Sequence, residues 1–433
     1  MIDAVRGQWG HWTTSATLDD RNIRNLVLQT VFAGVINGGI VTFLPVFLVR
    51  LGASAFLVSL LTSALAFTTI ILSLPSGPIV ARQRQLVAWS ARHFLAIRVA
   101  YVAIAIAGFL DPAIAAPIIV VIWGLTGIPS TLANTAWYTV LAEAVPARRR
   151  PAVNGFRWAL VGLVSAASVA FFGVMLDRLP FPAGYQIVFL FSFLAGVLNV
   201  WFYAKLRIPD QVLSVSVSSE TWRLQLRSVV QPLREGGAFF HYVIASSVLR
   251  VGLYLPIGLF SVYWVIGLGA SDTFIGLRTL VGNLALTVGY YTWGRIAGQL
   301  GHRRTLAIAA GGLGFYPILT GSAPSVEWLI PAALIWGLFA SGIDVSLFEG
   351  ILEVAPANRR HQFVAVNTFL ANLIALSIPL AGASAAAIVG IPAVLFASGL
   401  LHFASVAMVG FLAVRARRPP AGASMPTPGV AIE

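Results

Sequence analysis

The sequence predicts an all-α integral membrane protein of about twelve transmembrane helices, arranged as two parallel six-helix repeats. Three observations carry this. Of 433 residues, 58% are hydrophobic and 10% charged, with mean hydropathy +0.86, so most helical surface must face lipid. Apolar runs near the ~20 residues a spanning helix needs recur from Leu26 to Val414. The chain also repeats itself. Leu51-Gly52-Ala53-Ser54 returns as Leu268-Gly269-Ala270-Ser271, a shift of 217 that also places Gly77 on Gly294. Glu143-Ala144-Val145-Pro146-Ala147-Arg148-Arg149-Arg150 returns as Glu353-Val354-Ala355-Pro356-Ala357-Asn358-Arg359-Arg360, a shift of 210.

The spans follow in order. The first half reads as 26–48 and 56–75, separated by the first copy of the Leu-Gly-Ala-Ser landmark. A basic loop from Gly77 to Arg92-His93 precedes 94–110, and Asp111-Pro112 precedes 117–142. The Glu143–Arg150 landmark then leads to 156–176, and the short segment from Asp177 to Ala183 to 185–206. The second half reads as 239–265 and 274–293, split by the returning landmark; then 305–320 after the Gly294–Arg304 loop; then 328–352, 363–383 and 392–414. This gives five segments: 1–25 before the bundle, 26–206, a polar linker at 207–238, 239–414, and a tail at 415–433. Within the linker, Trp222-Arg223-Leu224-Gln225-Leu226-Arg227 suits an amphipathic helix on the bilayer surface.

A formal charge of +13 would suggest nucleic acid for a soluble protein, but here the basic residues occupy short loops between apolar runs, so no nucleic-acid partner is expected. With the N-terminus inside, every Arg and Lys except Arg50, Arg98, Arg178, Arg250 and Arg278 falls on or beyond the inner edge. That bias predicts a multi-pass inner (plasma) membrane protein with both termini cytoplasmic. No apolar run with a small-residue cleavage site precedes the first span, so no cleaved signal peptide is expected. Cysteine is absent, which removes thiolate metal sites and cysteine nucleophiles. Walker-type and His-Glu-x-x-His patterns are absent too, so no enzyme activity and no cofactor or metal are expected.

The loop after the second span of the second half reads Gly294-Arg295-Ile296-Ala297-Gly298-Gln299-Leu300-Gly301-His302-Arg303-Arg304. The matching loop of the first half reads Gly77-Pro78-Ile79-Val80-Ala81-Arg82-Gln83-Arg84. With the twelve-span plan, these resemble the Major Facilitator Superfamily, whose motif there is Gly-x-x-x-Asp-Arg-x-Gly-Arg-Arg. Gly77, Arg82, Gly294, Arg295, Gly301, Arg303 and Arg304 carry the likeness, while Gly298 and Ala81 stand at the acidic position. The fifth span lacks the Gly-Pro pair, and the fourth the arginine, of the family's drug antiporters. The resemblance implies a secondary transporter working by alternating access on a small-molecule substrate, proton-coupled or uniport, within the lipid bilayer and as a monomer. It also implies that the first, fourth, seventh and tenth spans line the cavity. The competing class is a non-transporting membrane scaffold, receptor or pigment- or lipid-handling assembly factor on the same bundle; a substrate-sized polar cavity favours transport.

Ionisable groups deep in a bilayer are costly, so they are candidate site residues. Arg250 lies about 18 Å of helix rise into the seventh span. Ser247, Arg250, Tyr254 and Ser261 form a polar stripe beside Pro256 and Gly258. Asp344, with Ser341 one turn before it, sits midway along the tenth span, and Glu349 nearer its inner end. Five residues turn a helix by about 140°, so Asp344 and Glu349 cannot both face the centre. The 210 shift places Asp344 on Asn134, within the polar stripe Ser130, Asn134 and Tyr138 of the fourth span. The resemblance adds Gln29 and Asn37 of the first span. An Arg250–Asp344 pair at midplane is one expectation, a permanent structural pair its bland counterpart. Arg278 is expected to pair with Asp272 in an outer gate or to anchor at the interface. His402, Asn283, Thr287 and Asn367 are expected to serve packing.

Overall fold

The computed structural model describes residues 17–73, 75–210, 237–356 and 360–416. Among these run twelve long helices and no strand. In the first half α1 spans Leu18–Arg50, α2 Ala55–Ser73, α3 Leu86–Ala107, α4 Pro112–Ala144, α5 Arg150–Arg178 and α6 Ala183–Ala204. In the second half α7 comprises Gly237–Tyr254, Leu259–Val262 and Tyr263–Gly267. It is followed by α8 (Asp272–Leu300), α9 (His302–Gly321), α10 (Leu329–Val354), α11 (Arg360–Val389) and α12 (Ile391–Ala416). Twelve crossings bring the start of α1 and the end of α12 to one side, here the termini face; the other is the far face.

The helices outrun the apolar windows because their ends are set by capping. Thr17 accepts from the Asp20 amide through Oγ1 at 3.2 Å, so α1 begins at Leu18 rather than near 26. Ser271 caps α8 through the Phe274 amide at 3.2 Å. At the other end of α8, Gly301 takes φ +77, which an L side chain resists, and separates α8 from α9. The expected linker shifts by two residues, since α6 ends at Ala204 and α7 begins at Gly237. The proposed surface helix at 222–227, the segment 1–16 and the tail from 417 lie outside the described residues.

Both halves break their first helix at the same depth. In α1, Asn37–Val41 widens into a π turn, and Gly39 leaves helical geometry at φ −95° and ψ −108°. The neighbouring Ile40 amide donates to Ser192 Oγ of α6 at 3.0 Å, so this amide keeps a partner at the break. In α7 the interruption falls between Tyr254 and Leu259, at Pro256. The 217 shift superposes Gly39 on Pro256: two residue types reach the same weakening by different chemistry.

The halves meet along two seams, α5 against α8 and α2 against α11. At the first, a Cβ on Gly173 would lie 2.6 Å from the Asp272 carbonyl oxygen, and one on Gly276 2.7 Å from that of Val169, so only glycine permits this approach. Toward the termini face the same helices part: Gly155, Gly294 and Gly298 all face open space. Outward-facing residues such as Phe109, Phe171, Ile388 and Leu400 are apolar and exposed, as a lipid boundary requires. Within the second half, a Cβ on Gly337 of α10 would collide with the Gly282 carbonyl and lie 2.7 Å from Ala285 Cβ of α8. Gly337→Val is therefore expected to cost ~1–3 kcal/mol through overpacking, read as a lower melting temperature of the purified protein.

Candidate functional site

At the far face a cross-half network closes the bundle. Asp177, ending α5, accepts from the Asp272 and Thr273 amides at 2.9 Å each, capping α8 from the other half of the molecule. The Asp272 carboxylate in turn accepts from Tyr185 Oη of α6 at 2.7 Å and Arg50 Nη2 of α1 at 3.3 Å. Arg50 also donates to the Ala270 carbonyl at 2.8 Å. Asp272 thus pairs with Arg50 and not with the expected Arg278. Six residues separate Asp272 from Arg278, about 120° around the helix and ~9 Å along it, so the Arg278 side chain turns inward instead.

At the termini face the described ion pairs stay within halves: Arg149 with Asp20 at 2.9 Å, and Glu353 with His302 at 2.8 Å and Arg303 at 3.5 Å. The bundle is closed at the far face, and its α5–α8 seam opens toward the other. The loop motif contributes unevenly. In the second half Arg303 reaches the end of α10 through Glu353, and Arg295 stacks on Tyr291 at 4.2 Å. Arg304 and Gly294 are exposed, as are Gly77 and Arg82 of the first half; neither Arg82 nor Arg304 forms an ion pair among the described residues. Glu143, the repeat equivalent of Glu353, has no such pair either, so the first half lacks the contact that Arg303 makes in the second.

Between these faces lie two cavities, of about 670 and 470 Å³, that share Val41, Tyr254 and Ile257. The larger contains Arg250, Asp344, Tyr254, Ser261 and Arg278; the smaller sits between α1, α2, α7 and α11. Arg250 and Asp344 line the same cavity without pairing, which corrects the expected midplane ion pair. Arg250 Nη1 donates to Ser246 Oγ and, across to α11, to Asn367 Oδ1, both at 3.1 Å. Asp344 accepts from Tyr290 Oη at 2.7 Å. The reason is packing: α10 lies against α8 and α9, so the nearest donor to Asp344 comes from α8. The partner on α7 is Ser246, one turn before Arg250, and not Ser247. Glu349 is exposed, with no hydrogen bond or ion pair among the described residues.

The first-half candidates form a second polar set. Gln29 accepts from Arg157 Nη2 at 3.3 Å, and Arg157 Nε donates to Thr30 Oγ1 at 2.9 Å while its guanidinium stacks on Trp137 at 4.8 Å. Arg157, read from sequence as an inner-edge residue, therefore lies two turns into α5 and braces α1. Under the 210 shift it superposes on Asn367, and under the 217 shift Gln29 superposes on Ser246. Each half thus joins its first and fifth helices with one arginine, carried on opposite partners. Asn134 donates to Ser130 Oγ at 3.1 Å, and Asn134, Tyr138 and Asn37 are all exposed. A polar, exposed stripe in a spanning helix belongs on a water-filled side.

Arg278, which the sequence placed near the interface, is only 7% exposed, donating to Tyr316 Oη at 2.8 Å and lying 3.9 Å over the Trp264 ring. His402 does pack, as expected: Nδ1 donates to the Ser398 carbonyl at 2.7 Å. Its Nε2 is nonetheless buried without a partner, and the ring borders the larger cavity. Sequence reasoning missed Tyr290, Tyr185, Asp177 and the inward turn of Arg278. Of these only Asp177 carried a readable signal, an acid at a span end in the same outer layer as the Ser271-Asp272 helix start.

Two related six-helix halves, sealed at one face around interior polar cavities, define a polytopic membrane protein of transporter architecture. The sequence profile described as "Major Facilitator Superfamily" matches residues 26–268, and the chain belongs to that family. Among solved structures it is similar to a POT family transporter in complex with a thioalcohol-conjugated peptide, at 14% identity and TM-score 0.70, covering 92% of this chain and 97% of that one. A POT family transporter in complex with 5-aminolevulinic acid gives 13% identity and TM-score 0.70 over 92% and 97%. A mutant of the nucleoside transporter NupG gives 12% identity and TM-score 0.65 over 89% and 99%. At these identities the likeness is one of fold. No curated protein matches.

Proposed function

We propose that the chain is a secondary active transporter, not an enzyme, that moves a small organic solute by alternating access. The observation that carries this reading is the asymmetry of the two faces: Arg50, Asp177, Tyr185 and Asp272 bind the halves together at one, while Gly155 and Gly294 face open space toward the other. The basic bias of the sequence makes the termini face cytoplasmic in a plasma (inner) membrane, so this conformation opens inward. Substrate occupies the cavities that share Tyr254, between Arg250 and Asp344; Asn37, Asn134, Tyr138, Gln29 and Glu349 line neither cavity and serve the path to it from the termini face. The breaks at Gly39 and Pro256 let α1 and α7 bend as the halves rock. The structural neighbours support the class, since all three are named as transporters and two are in complex with a ligand. The protein works as a monomer without a cofactor, and Asp344 is the residue through which a proton would couple to transport.

The test uses the absence of native cysteine. Single cysteines at Asn134 and Ser261 in reconstituted protein are expected to react with impermeant maleimide, the first from the termini side and the buried second from the far side, at rates that change in opposite directions when solute is supplied. Labelling fixed to one side under all conditions, with no solute flux, would sink the transporter reading in favour of a scaffold.

A further inference from the structure

Arg278 presents an energetic problem. It is a buried cation in the membrane interior, and no carboxylate pairs with it among the described residues. Its Nη2 is spent on Tyr316, but its Nε has no acceptor, and neither has the Nε1 of neighbouring Trp264, itself 8% exposed. Both side chains line the 670 Å³ cavity. An uncompensated charge and two orphan donors in one apolar place cost several kcal/mol unless something else supplies the acceptor. The surrounding wall is aromatic: Phe260 stacks on Tyr316 at 4.7 Å and on Trp264 at 5.8 Å. Lower in the same cavity Arg250 has only neutral partners, so Asp344 is the one acid lining a cavity that holds two arginines.

Resting on the transporter reading, we infer that the solute is an organic carboxylate with a planar apolar body, its anionic end received by Arg278 Nε and Trp264 Nε1 beneath the Phe260–Tyr316 stack. The anion completes the hydrogen bonding of both donors and neutralises the buried guanidinium, while the ring packs on the aromatic wall. Arg250 draws the anion in from the open side, and Asp344 disfavours a second negative group at the lower end. A cationic solute finds no counter-charge at the upper end.

The experiment compares three probe sets on the purified full chain: benzoate, 1-naphthoate and indole-3-acetate, each against its uncharged amide and its matching primary amine. Binding is read by thermal shift and by tryptophan fluorescence. The carboxylates are expected to bind at least ~10-fold more tightly than the amides, the scale of one charge-assisted hydrogen bond. Arg278→Gln is expected to erase that preference and Arg278→Lys to keep part of it, with Trp264→Phe reducing the fluorescence response. Wild type that binds amides or amines as well as carboxylates overturns the inference, as does Arg278→Gln that still discriminates. Where Arg278→Gln does not fold, the wild-type comparison and Arg278→Lys decide. The outcome separates from that of transport: alternating cysteine access without carboxylate preference refutes this inference alone, and carboxylate preference without alternation or flux refutes the transporter reading alone.

Discussion

Asp272→Asn is expected to unlock the far face. The Asp272 carboxylate is nearly buried and is the point where three helices converge: Tyr185 of α6 and Arg50 of α1 both donate to it from one half, while it opens α8 of the other. Asparagine keeps an acceptor for Tyr185 but removes the charge facing Arg50. A hydrogen bond to a charged group contributes ~1.5–3 kcal/mol, so the equilibrium between closed and open far face should move on the order of 10- to 100-fold. Because the helix cap from Asp177 to the Asp272 amide survives, the effect should fall on the conformational equilibrium more than on folding. The readout is a single cysteine at Ser261, which lines the larger cavity and is buried while the far face is closed. Its labelling from the far side should accelerate in Asp272→Asn and in Arg50→Gln, with melting temperature nearly unchanged. Equal labelling rates in wild type and both variants would show that the network does not hold the closure.

The helices and their pairing into halves were legible in the sequence because a bilayer imposes a coarse, local rule: about 20 apolar residues per crossing, with polar punctuation between. The landmarks at 51–54 and 268–271 gave the repeat without any tertiary information. Depth along a helix was legible too, and Arg250, Tyr254 and Asp344 do line one cavity. What the sequence did not disclose was azimuth and partner. Asp344 meets Tyr290, and Arg250 meets Asn367, because α10 packs on α8 while α7 faces α11. Those are relations between helices far apart in sequence. Arg278 shows the same limit: its distance from the span end suggested an interfacial anchor, yet its rotation from Asp272 sends it into the aromatic interior. Helix ends were misjudged for a different reason, since hydropathy measures the hydrocarbon layer and not the caps at Thr17 and Gly301 that stop the helices.

The repeat relation bears on how the halves move. Arg157 with Gln29, and Arg250 with Ser246 and Asn367, occupy superposable positions and stitch the first helix of each half to its fifth. Each stitch lies on the termini side of a helix break, at Asn37–Val41 in one half and between Tyr254 and Leu259 in the other. The lower segments of α1 and α7 are thus tied to their own halves, while the upper segments beyond the breaks carry the cross-half contacts. In the proposed alternating-access cycle, opening the far face is expected to bend α1 and α7 at Gly39 and Pro256 more than to unpack either half.

Asp344→Asn is expected to separate coupling from exchange. The carboxylate is exposed to the open cavity, is the one acid lining it, and is held by Tyr290 rather than neutralised by a cation. Arg250 and Tyr254 of α7 line the same cavity, Tyr290 donates from α8, and Glu349 follows on α10 itself. Gaining a proton changes the cavity's charge by one unit, which is felt strongly where water is scarce. If one proton accompanies each solute, a pH gradient can sustain about 10-fold accumulation per pH unit, because each unit is worth about 1.4 kcal/mol. In proteoliposomes Asp344→Asn should abolish that gradient-driven accumulation and retain solute exchange at equal pH. Tyr290→Phe, which keeps the charge but removes its hydrogen bond, should retain coupling with a shifted pH profile. Undiminished gradient-driven uptake by Asp344→Asn would remove this residue from the proton path, and a wild type indifferent to the gradient would make the protein a uniporter whose Asp344 serves only to shape the charge of the site.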